Sequence, residues 1–94
     1  MRRTNQKDID ELYDAILKLE SLDECQRFFR DLLTENEIKE FAERWKVAKL
    51  LSNGISYIKI EKETGVSSRT IARVGRWLKR GKGGYSLAIR KTHS

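Results

Sequence analysis

Apolar residues recur along this chain at intervals of three and four, the spacing of helices with one greasy side. Ile9, Leu12, Tyr13, Ile16 and Leu17 follow the i, i+3, i+4, i+7, i+8 rule and predict a first helix from about Asp8 to Leu19. Ser21 opens a second helix, Glu24 three residues on completes a capping box, and Leu22, Cys25, Phe28, Phe29 and Leu32 form its apolar row. Thr34 and Glu37 repeat that box ahead of a third helix carrying Ile38, Phe41, Ala42, Trp45, Ala48 and Leu51. It should stop near Asn53, because Gly54 tolerates the left-handed backbone that ends a helix. At about 20 residues, roughly 30 Å, this third helix is the longest element. A helix of that length bearing Trp and Phe needs more to pack against than two short neighbours, so it is expected to be the spine of a dimer.

Ser56 caps a fourth helix that ends at Thr64 and Gly65, and Ser67 or Ser68 caps a fifth that runs to about Arg80. The one strand-leaning run, ISYIKI, is read as the start of the fourth helix. Glycines at 81, 83 and 84 then interrupt, and YSLAIRKTHS is expected as one weak turn or as disorder. The fold class is therefore all-α, with five to six helices. Residues 1–94 make a single domain: a helical dimerisation part over 1–55, two linked helices over 56–80 and a flexible basic tail over 81–94.

The fifth helix has two unlike sides. At about 100° per residue, Ile71, Val74, Gly75 and Leu78 share one face, and Arg69, Arg73, Arg76 and Arg80 share the opposite one. One side can enter a core while the other presents four permanently cationic guanidinium groups. Charge along the chain points the same way. Residues 1–55 hold 10 basic and 12 acidic groups, residues 56–94 hold 10 and 2, and the whole carries +6. A near-neutral half followed by a basic half implies a localised polyanion site, with nucleic acid the expected polyanion. No apolar run suits a membrane span and nothing reads as a signal peptide, so no membrane partner is expected and the location is read as cytoplasmic.

The stretch from Ser56 to Arg80 also meets the offsets of a helix-turn-helix. Gly65 supplies the turn, Ile60, Val66, Ile71 and Val74 lock the two helices, and Glu61 departs by standing where a small residue is usual. The spacing puts Ser68, Arg69, Ala72 and Arg73 near base edges at the front of the fifth helix, with Ser67 and Thr70 in the same DNA-facing set. Arg76, Lys79, Arg80, Lys59 and Lys62 are placed for phosphates. Tyr57 could reach a phosphate or face water.

Other chemistry is poorly supported. Cys25 is read as a small buried hydrophobe, and His93 as an exposed residue beside the C-terminus. One Cys and one His form no catalytic pair, and Glu61 and Glu63, two apart, do not share a helix face. The glycine run lacks the strand and helix of a phosphate-binding loop. No enzyme, metal site or cofactor is expected. Trp45, Phe28, Phe29 and Phe41 are read as core rather than as a ligand box.

The run LTENEIKEFAERWKVAKLLSNGISYIKIEKETGVSSRTIARVGRWLK, residues 33–80 in round terms, resembles the core of the Trp repressor family. Within that family it is most like the YerC/YecD group of bacterial Trp-repressor-like proteins. The resemblance implies an intertwined homodimer, double-stranded DNA as partner and a role in bacterial transcription regulation, with repression the expected sign. In such dimers the two recognition helices meet successive major grooves about 34 Å apart. The family repressor holds tryptophan between two arginines that match Arg44 and Arg73, and Thr34 matches another ligand-contacting position. Two positions that are small in that repressor are Val74 and Trp77 here. An indole at Trp77 would fill the ligand's space, so tryptophan is not expected as effector, and whether another small molecule serves stays open. Arg73 is claimed both by the polar row and by the pocket. Two other classes remain: the helix-turn-helix subunit of a transposase-type mobile element, and an RNA- or protein-interaction module.

Overall fold

In a computed structural model, which describes residues 5–92, the chain forms six α-helices. They are α1 (Gln6–Leu17), α2 (Leu22–Leu32), α3 (Glu35–Ser52), α4 (Tyr57–Thr64), α5 (Ser68–Arg80) and α6 (Gly84–Thr92). The described residues contain no strand, in keeping with the all-α reading. The basic start at Arg2 and Arg3 and the exposure of His93 lie outside the described residues.

Caps set most of the boundaries. α1 begins two residues before the expected Asp8 because Asn5 is its cap. The Asn5 side chain accepts from the Asp8 amide at 3.0 Å, and the Asp8 carboxylate accepts from the Asn5 amide at 3.4 Å. Asp8 is thus the returning half of a capping box rather than the first residue of the helix. In α2 the Ser21 hydroxyl accepts from the Glu24 amide at 3.1 Å, as expected. The Glu24 carboxylate, however, takes the Glu20 amide at 2.9 Å instead of that of Ser21, so the box closes one residue early. At α3 both halves are present: Thr34 accepts from the Glu37 amide at 3.1 Å and donates its own amide to Glu37 at 2.9 Å. α3 ends as expected at Gly54, whose φ is +82°. The Gly54 amide donates to Leu51 at 3.0 Å and the Ile55 amide to Leu50 at 3.1 Å, the paired bonds of a Schellman stop.

The chain divides into two compact units, Met1–Ile38 and Lys39–Ser94. In the first, neither α1 nor α2 buries any residue fully. The apolar rows are only partly covered: Leu12, Ile16, Phe28 and Phe29 are half-buried, whereas Leu17 is 81% and Leu22 75% exposed. Cys25 is half-buried, not sealed in a core as expected, and Phe28 meets Phe29 edge-on with ring centroids 5.6 Å apart.

The second unit has its own core. Val47 and Ala48 of α3, Ile60 of α4, Val66 of the turn, and Ile71 and Val74 of α5 are buried together. Leu50, Leu51, Ile55, Tyr85 and Ile89 pack around them. Two sequence expectations are corrected in this unit. Phe41 and Trp45 are not core in the single chain: Phe41 is exposed and Trp45 half-buried, with Arg44 and Lys49 respectively over their rings. The expected tail or weak turn is a nine-residue helix, α6, held by Tyr85 and Ile89. One i, i+4 apolar pair is too short a periodic signal to stand out from sequence.

Candidate nucleic-acid interface

α4 and α5 are joined by a three-residue turn, residues 65–67, pinned by local hydrogen bonds. Gly65 closes α4 at φ +74°, its amide donating to Glu61 at 3.0 Å. Thr64 straps the bend: its hydroxyl donates to the Ile60 carbonyl at 2.6 Å and accepts from the Val66 amide at 3.1 Å. Val66 can then drop into the core. Ser67, not Ser68, caps α5; its hydroxyl accepts from the Thr70 amide at 3.2 Å and donates to the Thr70 hydroxyl at 3.1 Å. Ser67 and Thr70, placed in the DNA-facing set from sequence, therefore also build the front of the helix.

The two sides of α5 fall where the wheel puts them. Ile71, Val74 and Gly75 are buried and Leu78 is half-buried, whereas Arg69, Arg73, Arg76 and Arg80 are all exposed. Ser68, Ala72 and Lys79 are exposed with them. Among the described residues none of these cations has a carboxylate within ion-pair distance. Of the two lysines on α4, Lys59 lies 3.9 Å from Glu63 and Lys62 is unpaired among the described residues. That exposed i, i+4 contact is worth little and leaves Lys59 available. Ile58, one helical turn before Lys62, stands out as 74% exposed in the middle of this polar surface.

Sequence reading left Tyr57 undecided, and the structure gives it a definite place. A Cβ at Gly75 would overlap the Tyr57 hydroxyl oxygen, come 3.2 Å from its Cζ and lie 3.6 Å from Leu51 Cδ1. Gly75 is thus a glycine because the phenol end of Tyr57 rests on it. The ring borders a surface recess of about 250 Å³ whose other walls are Ala72, Gly75, Arg76, Lys79 and Arg80. The signal for this pairing was a glycine in the middle of a strongly amphipathic helix, where Ala would be the better helix former.

The residues matched to an effector pocket have the following places. The Thr34 hydroxyl caps α3. The Arg44 guanidinium sits 5.7 Å from the centre of the Phe41 ring. Arg73 and Trp77 are one turn apart on α5, and Val74 between them is buried. Trp77 is 51% exposed and lines a recess with Gly81, Lys82, Gly84 and Tyr85. No described group of His, Cys, Asp and Glu could hold a metal ion, and no described helix is long and apolar enough to cross a membrane.

Similarity to known proteins accords with this geometry. Residues 7–93 match the Trp repressor protein family. The uncharacterized protein YerC of Bacillus subtilis (strain 168) is 49% identical over 83 residues, 88% of this chain and 80% of that protein. A crystal structure of a candidate Trp repressor from Staphylococcus aureus superposes with a TM-score of 0.87 at 44% identity, covering 93% of this chain and 87% of that one. A TrpR-like protein from Eubacterium eligens ATCC 27750 gives a TM-score of 0.87 at 40% identity, over 92% and 89% of the two chains.

Proposed function

Since the chain belongs to the Trp repressor family, we propose that it is a sequence-specific DNA-binding regulator of transcription, a repressor that works as a homodimer in the cytoplasm. One observation carries the reading: four exposed arginines occupy one side of α5 while the other side is buried. A helix anchored from beneath and cationic above suits the major groove. Ser68, Arg69, Ala72 and Arg73 face base edges, where an Arg bidentate to guanine gives about 1–3 kcal/mol of discrimination. Arg76, Lys79, Arg80, Lys59 and Lys62 contact phosphates and make affinity fall with salt.

The homodimer is supported by what a single chain leaves uncovered. Tyr13, Leu17, Leu22, Leu32 and Phe41 are all exposed. Large apolar side chains in such number on so small a protein mark an interaction surface, and a second copy buries the same rows by symmetry. Tryptophan is not the effector in this reading, because Val74 and Trp77 occupy the positions that would have to be small.

Selection of bound duplexes from a random library tests the whole. An inverted repeat with half-sites one helical turn apart is the expected result. Recovery of no preferred sequence, or tighter binding to an RNA duplex of equal length, refutes it.

A further inference from the structure

The contact between Tyr57 and Gly75 leads to a residue role that charge alone does not assign. Three cations, Arg76, Lys79 and Arg80, line the same recess as the phenol ring, and no acidic side chain shares that lining. Like charges gathered without a carboxylate raise the local affinity for an anion. The same wall carries one neutral donor, the Tyr57 hydroxyl, at a position fixed by its seat on Gly75. Tyrosine has two side-chain torsions, so a ring seated on Gly75 loses little freedom when its hydroxyl is used. The ring is 44% exposed, so it reaches both the interior and the solvent.

We propose that Tyr57 and Gly75 form an interlocked pair that presents the Tyr57 hydroxyl to a DNA phosphodiester seated against Arg76, Lys79 and Arg80. The assignment rests on the DNA-binding reading and deepens it. It makes Tyr57 a positioning and hydrogen-bonding residue whose contribution does not depend on salt. It also makes the absence of a side chain at Gly75 a requirement of that contact rather than of the helix.

The test uses the full chain and a random-sequence duplex, with affinity read by fluorescence anisotropy across a salt series. Tyr57→Phe keeps the ring on Gly75 and removes only the donor. It is expected to weaken binding at least about 10-fold at every salt concentration, with the slope of log K against log[salt] unchanged, as the loss of a hydrogen bond to a charged group requires. Arg76→Gln is expected to lower that slope by about 1.8, one released counterion in each half of the dimer. Combined, the two changes should cost less than the product of the single losses, because they serve one phosphate. Wild-type affinity in Tyr57→Phe overturns the proposal and leaves the DNA reading standing. A second readout separates the two in the other direction. Pyrophosphate titrated into the protein should shift the Tyr57 ring signals in the NMR spectrum, and Arg76→Gln should abolish the shift. Should the wild type not bind duplex at all while this shift persists, the DNA reading falls and the anion seat stands. No shift with pyrophosphate overturns the seat.

Discussion

Replacing Gly75 with alanine should change stability in opposite directions depending on what stands at position 57. A glycine inside a helix costs about 1 kcal/mol relative to alanine, so Gly75→Ala starts with a gain of that size. Against it stands the overlap of the new methyl with the Tyr57 hydroxyl oxygen and its approach to 3.2 Å from Cζ. That oxygen is the far end of a rigid ring, so relief requires the whole ring to swing toward solvent. The loss is bounded by what the ring buries. Tyr57 is 44% exposed, so just over half of its area is covered. For a tyrosine of about 200 Å², that is roughly 110 Å², or about 3 kcal/mol as an upper limit. Gly75→Ala should therefore destabilise the protein, by up to about 2 kcal/mol once the helix gain is subtracted.

In a Tyr57→Ala background the obstacle is gone. The neighbour that remains, Leu51 Cδ1 at 3.6 Å, is at ordinary contact distance. There Gly75→Ala should stabilise by about 1 kcal/mol. The coupling between the two positions is thus about 1–3 kcal/mol. Urea denaturation followed by circular dichroism measures it, at one fixed protein concentration because the midpoint of a dimer depends on concentration. If Gly75→Ala stabilises both backgrounds equally, the phenol does not occupy the space above Gly75, and the role given to the pair fails with it.

Arg69→Ala should abolish preference for the selected operator over random duplex while sedimentation still reports a dimer; retained preference would move base reading elsewhere on α5. Ser67→Ala removes the bond from the Thr70 amide at 3.2 Å and should cost about 1 kcal/mol in thermal or urea unfolding. Calorimetric titration with L-tryptophan should show no binding at micromolar concentrations, and a micromolar dissociation constant would contradict the filled-pocket reading. Leu22→Lys places a charge on the apolar row of α2 at a residue that is 75% exposed in the single chain. It should dissociate the dimer at micromolar concentrations by sedimentation, whereas a surface residue with no partner would leave the mass unchanged.

How much of this could be read beforehand follows from which forces act locally. The caps at Thr34 and Ser56 and the stops at Gly54 and Gly65 depend on residues three or four apart and were legible, whereas the cap of α5 was narrowed only to Ser67 or Ser68. The sidedness of α5 was legible because its periodicity is strong and its charges all have one sign. Asn5 was missed because its return partner, Asp8, looked like the start of the helix. α6 was missed because its hold on the fold comes from Tyr85 and Ile89 meeting residues far away in sequence. The seat of Tyr57 on Gly75 joins positions 18 apart through tertiary packing, and no propensity or period encodes that. What the sequence did contain was a rule broken: a glycine in the interior of a well-formed helix, the kind of local inconsistency that marks a functional constraint.

The two units differ in what they can bury and in the sign of their charge, and the two differences have one explanation. Residues 39–94 carry 14 basic and 4 acidic groups and fold around six buried residues of their own. Residues 1–38 carry 6 basic and 10 acidic groups, and their two complete helices bury none. A negatively charged segment is repelled by a phosphate backbone, so its apolar rows are not there to approach DNA. Those rows would expose Leu17 and Leu22 to water at a cost of about 1.5–3 kcal/mol each if nothing covered them. A second copy of the same acidic segment is an acceptable cover only if apolar contact outweighs like-charge repulsion, which screening within about 10 Å at 0.1 M salt makes easier. Low salt should then strengthen DNA binding by the basic unit while weakening association through the acidic one. On the proposed reading, DNA binding and self-association should respond to ionic strength with opposite signs, which a solvated αα-hairpin with incidental arginines would not do.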